Sequence, residues 1–266
     1  ESFPQIDYLI CESTYGDRLH EPELDMKAHL LELVHKTCVV KRGKLIIPAF
    51  AVDRTQELVF ALDQLEFEGK LPRIPVYVDS PLAVNATMVM KKHREDFNPD
   101  ILNYIERDGD AFGFDNLHYI TEVEESKALN ESKQPCIIIS ASGMAEAGRI
   151  KHHIANNIED PDNTILMVGY CSPNSLGAML KTGQPTVKIF GNEKIVKAEV
   201  AIMDSFSAHA DYSEMIDLLK CQDSSKVKTV FLVHGEYDTQ KSFKEKLFSE
   251  GFKNIIIPSQ AEAFEF

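Results

Sequence analysis

Long apolar runs are missing from this chain of 266 residues. The longest runs have the size of a strand, such as Ile137–Ile139, whereas a helix that crosses a membrane needs about 20 consecutive apolar residues. The first five residues, Glu-Ser-Phe-Pro-Gln, do not form the charged and then apolar pattern of a secretory signal. These absences predict a protein that neither enters nor crosses a membrane.

Paired cysteines are missing as well. The chain has five cysteines without a Cys-x-x-Cys motif, and four of them stand in or beside apolar runs: Cys11, Cys38, Cys136 and Cys171. An odd number of scattered cysteines favours reduced thiols in a cytoplasmic protein over a disulfide framework. We therefore interpret them as small buried side chains rather than as catalytic thiols.

Positive charge is scarce, because 28 Lys and Arg residues face 42 Asp and Glu residues and give a formal net charge of −14. Such a balance argues against binding of nucleic acid by the whole surface, although it leaves room for a local basic groove. The basic clusters at 41–44 and 91–94 are each interpreted as a solvated turn or helix face.

What the sequence does contain is a repeated order of apolar strand and amphipathic helix. This order predicts an α/β fold with a mainly parallel sheet. The predicted strands are 6–11, 44–48, 75–78, 136–139, 164–168, 200–203, 229–233 and 254–257, with a hairpin of 187–190 and 194–202. The predicted helices are 23–36, 52–65, 83–94, 149–154, 175–181, 212–220 and 241–250, and 98–132 is predicted to hold short helices and loops.

Two histidines follow predicted strands near the end of the chain, namely His209 in Ser-Ala-His-Ala-Asp and His234 in Val-His-Gly-Glu. In a parallel sheet both loops open at the carboxyl edge, where α/β folds place their chemistry. His209 suits proton transfer, or it is merely exposed before a helix capped by Asp211. His234 suits a metal, or it is a hydrogen-bonded structural residue. The other histidines are interpreted as surface residues: His20, His29, His35, His93, His118, His152 and His153.

Another loop with chemical potential follows the strand 136–139. Its residues Ser140-Ala-Ser-Gly143 offer hydroxyls and backbone N–H groups that suit a phosphate. Serine-rich turns between a strand and a helix are equally common as structural connections. Both interpretations stay open at this point.

Three segments in a fixed order carry a family resemblance: ESTYGD (12–17), SFSAHAD (205–211) and LVHGE (232–236). They resemble the metallo-β-lactamase-fold nucleases with a β-CASP insertion, which include ribonuclease J-type enzymes and the endonuclease subunit of the cleavage-and-polyadenylation machinery. Supporting segments are IPAFAVDRTQEL (47–58), SASGMAEAGR (140–149) and GYCSPNSLGAML (169–180). The resemblance extends from about Ile6 to the last strand.

This resemblance implies a division of the chain into two parts. Residues 17–202 would form a β-CASP cap domain, in which helices flank a parallel sheet. Residues 1–16 and 203–266 would form the closing part of a metallo-β-lactamase αββα domain.

The resemblance also implies roles for three residues. Glu12 matches the acidic motif whose carboxylate orients the second motif's histidine. His209 matches that histidine, which lies near the scissile phosphate and is proposed to protonate the leaving oxygen. His234 matches a zinc ligand. A carboxylate bound to one imidazole nitrogen fixes the tautomer and leaves the other nitrogen for the substrate.

Four residues of the supporting segments match positions near the substrate in the family. Ser140, Ser142 and Gly143 match a loop that contacts the substrate phosphate. Arg54 lies in a segment that faces the active-site cleft, so we expect it to bind phosphate.

The remaining zinc ligands of the family precede the acidic motif, and this chain begins only eleven residues before Glu12. The resemblance therefore implies two zinc ions in a full-length enzyme and little or no zinc in this chain alone. The missing amino-terminal half and RNA are the implied partners, and a homodimer is left open. We expect the chain on its own to be inactive.

The implied function is that of a zinc-dependent RNA phosphodiesterase, in which the cap forms the RNA cleft. The motifs fit both endonucleolytic and exonucleolytic cleavage. An alternative is a non-catalytic RNA-binding or scaffold module, since relatives with degenerate zinc sites pair with active subunits. A third hypothesis is a hydrolase of the same fold that acts on small molecules or DNA. DNA-repair relatives usually carry valine where this chain has His234, so the resemblance favours RNA.

Overall fold

The computed structural model describes residues 2–20, 26–203, 207 and 209–265. The chain separates into two compact units, of which the smaller comprises 1–22 with 207–266 and the larger 23–206. The strands are β1 (Tyr8–Glu12), β2 (Lys44–Pro48), β3 (Val76–Asp79), β4 (Leu117–Ile120), β5 (Cys136–Ser140), β6 (Thr164–Met167), β7 (Thr186–Ile189), β8 (Asn192–Ile195), β9 (Glu199–Ile202), β10 (Thr229–Val233) and β11 (Ile255–Ile256). The helices are α1 (Met26–Val34), α2 (Arg54–Phe67), α3 (Pro81–Lys92), α4 (Pro99–Asp108), α5 (Val123–Glu131), α6 (Arg149–Asn157), α7 (Leu176–Lys181), α8 (Tyr212–Leu219) and α9 (Tyr237–Ser249), with a π turn at His35–Val40 and a 3₁₀ turn at Arg94–Asp96.

The larger unit is built on a six-stranded sheet in the order β4-β3-β5-β2-β6-β9, and each of these pairings is parallel. Its central strand β2 is buried along its whole length. Leu45 and Ile47 pack into the cluster that contains α2, whereas Ile46 packs into the cluster that contains α6. Helices thus cover both faces, which explains why the strand reads as a continuous apolar run. The prediction of an α/β fold is confirmed.

Two predictions about the larger unit are wrong in detail. Residues 98–132 contain α4 and α5 but also β4, a four-residue edge strand in which Ile120 is buried and His118 is exposed, and which is too short for its pattern to predict a strand. The predicted hairpin ends earlier than expected, because β7 pairs antiparallel with β8 alone. Residues Lys197 and Ala198 then donate their N–H groups to the Ile158 carbonyl, and β9 joins the main sheet beside β6.

The smaller unit has a parallel sheet in the order β1-β10-β11. Helices α8 and α9 cover one face through a core that includes Leu219, Leu232 and Phe243. The strand β1 is buried on one side only, because Leu9 and Cys11 pack towards this core while Ile10 points the other way and is 72% exposed. Two further stretches lie outside the described residues: 21–25, where the first predicted helix begins, and 204–206 with 208, in and just before the second motif.

Within the described part of the chain, no helix combines the length and apolarity that crossing a bilayer requires.

Candidate functional site

The carboxyl ends of β1 and β10 bring two predicted site residues together. Glu12 pairs with Val233 as the last step of the parallel ladder, so His234 begins the loop directly beside it. The Ser13 hydroxyl donates to the Val233 carbonyl at 2.7 Å and ties the two loops to each other. Gly235 permits this approach, since a Cβ there would lie 2.6 Å from Ser13 Oγ. His234 itself has a φ of +52°, a left-handed conformation that is uncommon for non-glycine residues.

His209 is placed by the start of α8. Asp211 accepts the N–H groups of Ser213 and Glu214, and the Glu214 carboxylate accepts the Asp211 N–H, which forms a capping box. Asp211 also forms an isolated parallel bridge with Tyr15. Burial works to raise the pKa of Asp211, but the backbone donors of Glu214, His20 and Ser213 outweigh it and lower that pKa. The cap predicted for Asp211 therefore exists, and it fixes the loop that carries His209.

His20 supports the same loop from the other side. Its Nε2 lies 2.7 Å from the His209 carbonyl oxygen, and its backbone N–H donates to Asp211 Oδ2 at 2.8 Å. Its ring packs edge-on against Tyr15, with centroids 5.0 Å apart. The interpretation of His20 as a surface residue is therefore wrong: it is a half-buried residue that holds the backbone of the second motif.

Glu12, His209 and His234 form one cluster. Glu12 Oε2 lies 2.7 Å from His209 Nδ1 and 3.9 Å from His234 Nδ1. The two imidazole rings lie 5.1 Å apart with an interplanar angle of 32°. The side chains of Glu12 and His209 are half-buried, whereas that of His234 is 65% exposed. A carboxylate and a half-covered imidazole thus form a charge-assisted hydrogen bond beside a solvent-accessible imidazole.

Thr14 lies at the centre of this cluster. Its Oγ1 is 2.8 Å from Glu12 Oε2, 3.1 Å from His234 Nδ1 and 3.4 Å from His209 Nδ1. A hydroxyl that donates to the carboxylate keeps its oxygen free to accept the Nδ1–H of His234. In this arrangement Nε2 of each imidazole, rather than Nδ1, carries the lone pair or proton that faces outward.

Among the residues that the structure describes around β1 and β10, this cluster is the group whose donor atoms suit a metal, since its three ligand atoms lie within 4.8 Å of one another. A zinc ion shared by Glu12 Oε2 and His209 Nδ1 would separate these atoms by about 3.4 Å, because each bond measures about 2.1 Å and zinc sites are tetrahedral. The observed 2.7 Å instead matches a direct hydrogen bond. Nε2 of the exposed His234 can serve as a zinc ligand. A catalytic zinc site needs three protein ligands, however, and this cluster offers one suitable imidazole.

The predicted phosphate loop lies in the larger unit, after β5. Ser140 is 1% exposed and donates to the Asp79 carbonyl at 2.6 Å, so its hydroxyl is already engaged. Ser142 is partly exposed, and it exchanges backbone and side-chain hydrogen bonds with Ala147 across the loop. Gly143 allows the close approach of Phe50, whose ring would lie 2.8 Å from a Cβ at that position. The loop is thus a preformed turn in which Ser142 offers the accessible hydroxyl.

A buried ionic network supports this loop from below. Asp79 accepts hydrogen bonds from Arg149 at 2.7 Å and from His153 Nε2 at 2.6 Å, and the Ser126 hydroxyl donates to it as well. Burial works to raise the pKa of Asp79, but these three donors outweigh it and lower that pKa. His153 is fully buried here, so its interpretation as a surface residue is wrong.

Arg54 lies at the first turn of α2. Its side chain is buried, and its guanidinium forms an ion pair with the Glu57 carboxylate. Its role as a phosphate ligand stays a prediction.

Comparison with known proteins gives two domain matches. Residues 55–180 match the Beta-Casp domain, and residues 194–258 match the Zn-dependent metallo-hydrolase RNA specificity domain. The chain belongs to the β-CASP family of nucleases. Family membership confirms the resemblance inferred from the three motifs.

Individual relatives agree with the family. A ribonuclease of Thermus thermophilus is 34% identical over 248 residues, which cover 93% of this chain and 54% of the relative. An RNase J-like protein of Methanocaldococcus jannaschii is 33% identical over 257 residues, or 96% of this chain and 57% of the relative. Transcription termination factor FttA of Methanosarcina mazei is 30% identical over 266 residues, which cover 97% of this chain and 41% of the relative. The chain thus spans about half the length, or less, of these β-CASP relatives.

Three residues of this β-CASP chain escaped the sequence-based prediction of the site: Thr14, His20 and Asp79. Thr14 and His20 belong to the segment that starts at Glu12, but only the fold shows that they contact residues about 190 positions further along the chain. Asp79 does follow a predicted strand, and that position at the sheet's carboxyl edge was the available signal.

Proposed function

We propose that this chain is part of a zinc-dependent RNA phosphodiesterase and supplies its proton-transfer pair, one zinc ligand and a phosphate-binding loop. The observation that carries the proposal is the 2.7 Å contact between Glu12 and His209 beside the exposed imidazole of His234. Membership of a family of RNA-processing nucleases supports the choice of RNA as the substrate.

The proposed role of His209 is to protonate the leaving oxygen of the scissile phosphodiester. Glu12 accepts the Nδ1–H of this ring, which orients it and directs Nε2 towards the substrate. The carboxylate also stabilises the positively charged imidazole that must form before the proton is donated. General acid catalysis of this kind contributes typically about 10²- to 10⁴-fold to a rate.

The proposed role of His234 is to hold zinc through Nε2. Thr14 accepts the Nδ1–H of His234 in this arrangement and thereby fixes the tautomer that binds metal. Bound zinc would supply the Lewis acid and the activated water that phosphodiester hydrolysis requires. Because this cluster offers one suitable imidazole, we propose that the other ligands come from a segment outside these 266 residues.

The loop after β5 is proposed to contact the substrate phosphate through Ser142 and the backbone around Gly143. Ser140 has a different proposed role from the one its motif implied, because its buried hydroxyl is bonded to Asp79. We assign it to holding the loop in place.

The test is cleavage of end-labelled single-stranded RNA by the full-length protein that carries this chain. We expect His209→Ala to lower the cleavage rate by at least about 100-fold while the bound zinc, measured by atomic emission, is unchanged. His29→Ala provides a matched control, since it removes an exposed histidine of α1. Cleavage by His209→Ala at the rate of this control would contradict the proposed role.

The same experiment separates an enzyme from a scaffold. A wild-type protein that binds RNA and zinc without cleaving the RNA would overturn the catalytic proposal and favour a non-catalytic RNA-binding module. Loss of zinc together with loss of cleavage in His234→Ala, but not in His29→Ala, is the result we expect for a zinc enzyme.

A further inference from the structure

A cavity in the larger unit lies on elements that carry none of Glu12, His209 and His234. It has a volume of about 650 Å³ and is bordered by α5, by the start of α6 and by the tip of the β7–β8 hairpin. The backbone of Ala147 and Gly148 and the side chain of Phe190 contribute to its wall. The cavity therefore combines the amino end of a helix with an aromatic ring.

Phe190 is in an unfavourable conformation for its residue type. With Gly191 it forms the two-residue turn between β7 and β8, and the two residues have φ values of +50° and +82°. Turns of this kind favour Asn, Asp or Gly at the first position, and the left-handed region is unfavourable for a bulky non-glycine residue. Burial does not compensate, because Phe190 is 52% exposed while its neighbour Ile189 is buried. Core packing thus leaves the choice of phenylalanine here unexplained.

The surroundings of Phe190 suggest what its ring is for. The His152 ring lies 4.5 Å from it with an interplanar angle of 32°, and Lys151 Nζ lies 5.6 Å from its centroid. An aromatic face beside a cation is the arrangement with which proteins stack unpaired nucleic acid bases and hold the adjoining phosphate.

The wall of the cavity carries charges of both signs. Lys127, Arg149 and Lys151 face two carboxylates, Glu131 and Glu146, in a chain whose net charge is −14. Arg149 is already paired with Asp79 below the loop, and Lys127 with Glu124 on its own helix. Lys151 donates to the Glu146 backbone carbonyl at 3.3 Å, and its 4.0 Å contact with the Glu146 carboxylate is longer than the 2.7 Å ion pairs of Arg149 and Lys127.

We infer that this cavity binds one nucleotide of single-stranded RNA, with the base stacked on Phe190 and a phosphate near Lys151. The inference rests on the proposed function only in taking RNA as the ligand. It adds a binding site on the larger unit and assigns a use to a strained, exposed aromatic residue.

The test measures binding of a fluorescent single-stranded oligouridine to the 266-residue chain by anisotropy, without added zinc. Phe190→Asn places a favoured residue in the turn and removes the ring, so the hairpin should fold at least as well. We expect the dissociation constant to rise roughly 5- to 150-fold, the range that corresponds to loss of one base stack. Phe190→Trp should bind like wild type. Phe248→Asn, which removes an exposed ring of α9, provides the matched control and should bind like wild type.

A second variant tests the phosphate contact. Lys151→Gln should reduce the magnitude of the slope of log K against log salt by about 0.7, as expected for one contact with a single strand. Unchanged affinity of a folded Phe190→Asn variant, or equal losses in Phe190→Asn and Phe248→Asn, would overturn the inference, as would undetectable binding by wild type. Because the assay needs neither zinc nor cleavage, failure here is distinguishable from failure of the proposed nuclease function.

Discussion

Asp63 of α2 should make the stability of the larger unit depend on pH. It is 1% exposed. Burial, reinforced by the negative charge of Asp108, raises the pKa of Asp63 from 3.8 to about 7. Asp110 and Glu66 add to this effect, and the neighbouring Tyr104 opposes it. The folded protein therefore keeps a proton on Asp63 at pH values where the unfolded chain has lost it.

The sign and size of the effect follow from this difference. Between pH 3.8 and about 7 the folded state binds the additional proton, so the free energy of unfolding falls as the pH rises. Within this window the free energy of unfolding falls by about 1.4 kcal/mol per pH unit. Below the window both states are protonated, so Asp63 no longer makes the stability depend on pH. Between pH 5 and pH 8 the loss from this one group amounts to roughly 2.5 kcal/mol.

The perturbation is Asp63→Asn, which keeps the shape of the side chain and removes its charge. We expect the variant to be more stable than wild type above pH 7 and to lose roughly 2.5 kcal/mol less between pH 5 and pH 8. Because the chain has no tryptophan, urea unfolding is followed by circular dichroism. Glu106→Gln, which neutralises an exposed carboxylate of α4, is the matched control and should parallel wild type. Identical pH profiles for Asp63→Asn and wild type would refute the reasoning.

Further predictions concern the site and its supports. Thr14→Val keeps the shape but removes the central hydroxyl, so RNA cleavage by the full-length protein should fall about 10- to 100-fold, and Thr14→Ser should restore it. Gly235→Ala places a Cβ 2.6 Å from Ser13 Oγ, and thermal unfolding should show a loss of roughly 1–3 kcal/mol. Asp79→Asn leaves the fully buried His153 and the partly buried Arg149 without their carboxylate, and urea unfolding should show a loss of about 3 kcal/mol or more. The chain alone should hold little zinc in equilibrium dialysis, and stoichiometric zinc that His234→Ala removes would contradict this expectation.

Sequence patterns were sufficient to predict the strands that are buried on both faces of the sheet. β2 and β5 are apolar at nearly every position because helices cover both sides of the sheet, and such runs are recognisable without tertiary information. The edge strand β4 was missed, since a partly buried strand of four residues has too few positions to show a period. The end of the hairpin at Ile195 depends on the Ile158 carbonyl, a contact across 39 residues that no local pattern encodes.

The site was predictable to the extent that its residues belong to motifs. Glu12, His209 and His234 were each named from a segment with a fixed composition, and the fold brings them together. Thr14 and His20 were not predicted as site residues, because they contact residues that are far away in the sequence, His234 and His209. Ser140 shows the reverse case, in which a motif residue turns out to be buried and bonded to the backbone.

The smaller unit combines residues from the beginning and the end of these 266 residues. Its site can therefore assemble only late in the synthesis of this stretch. Glu12 and His209 are 197 residues apart in sequence. At the usual speed of translation the ribosome needs roughly 10 to 40 seconds to cover that distance. Throughout this interval the nascent chain displays the carboxylate without its imidazole, while the larger unit can already form its sheet. The proposed proton-transfer pair therefore cannot form in a nascent chain before His209 has been synthesised.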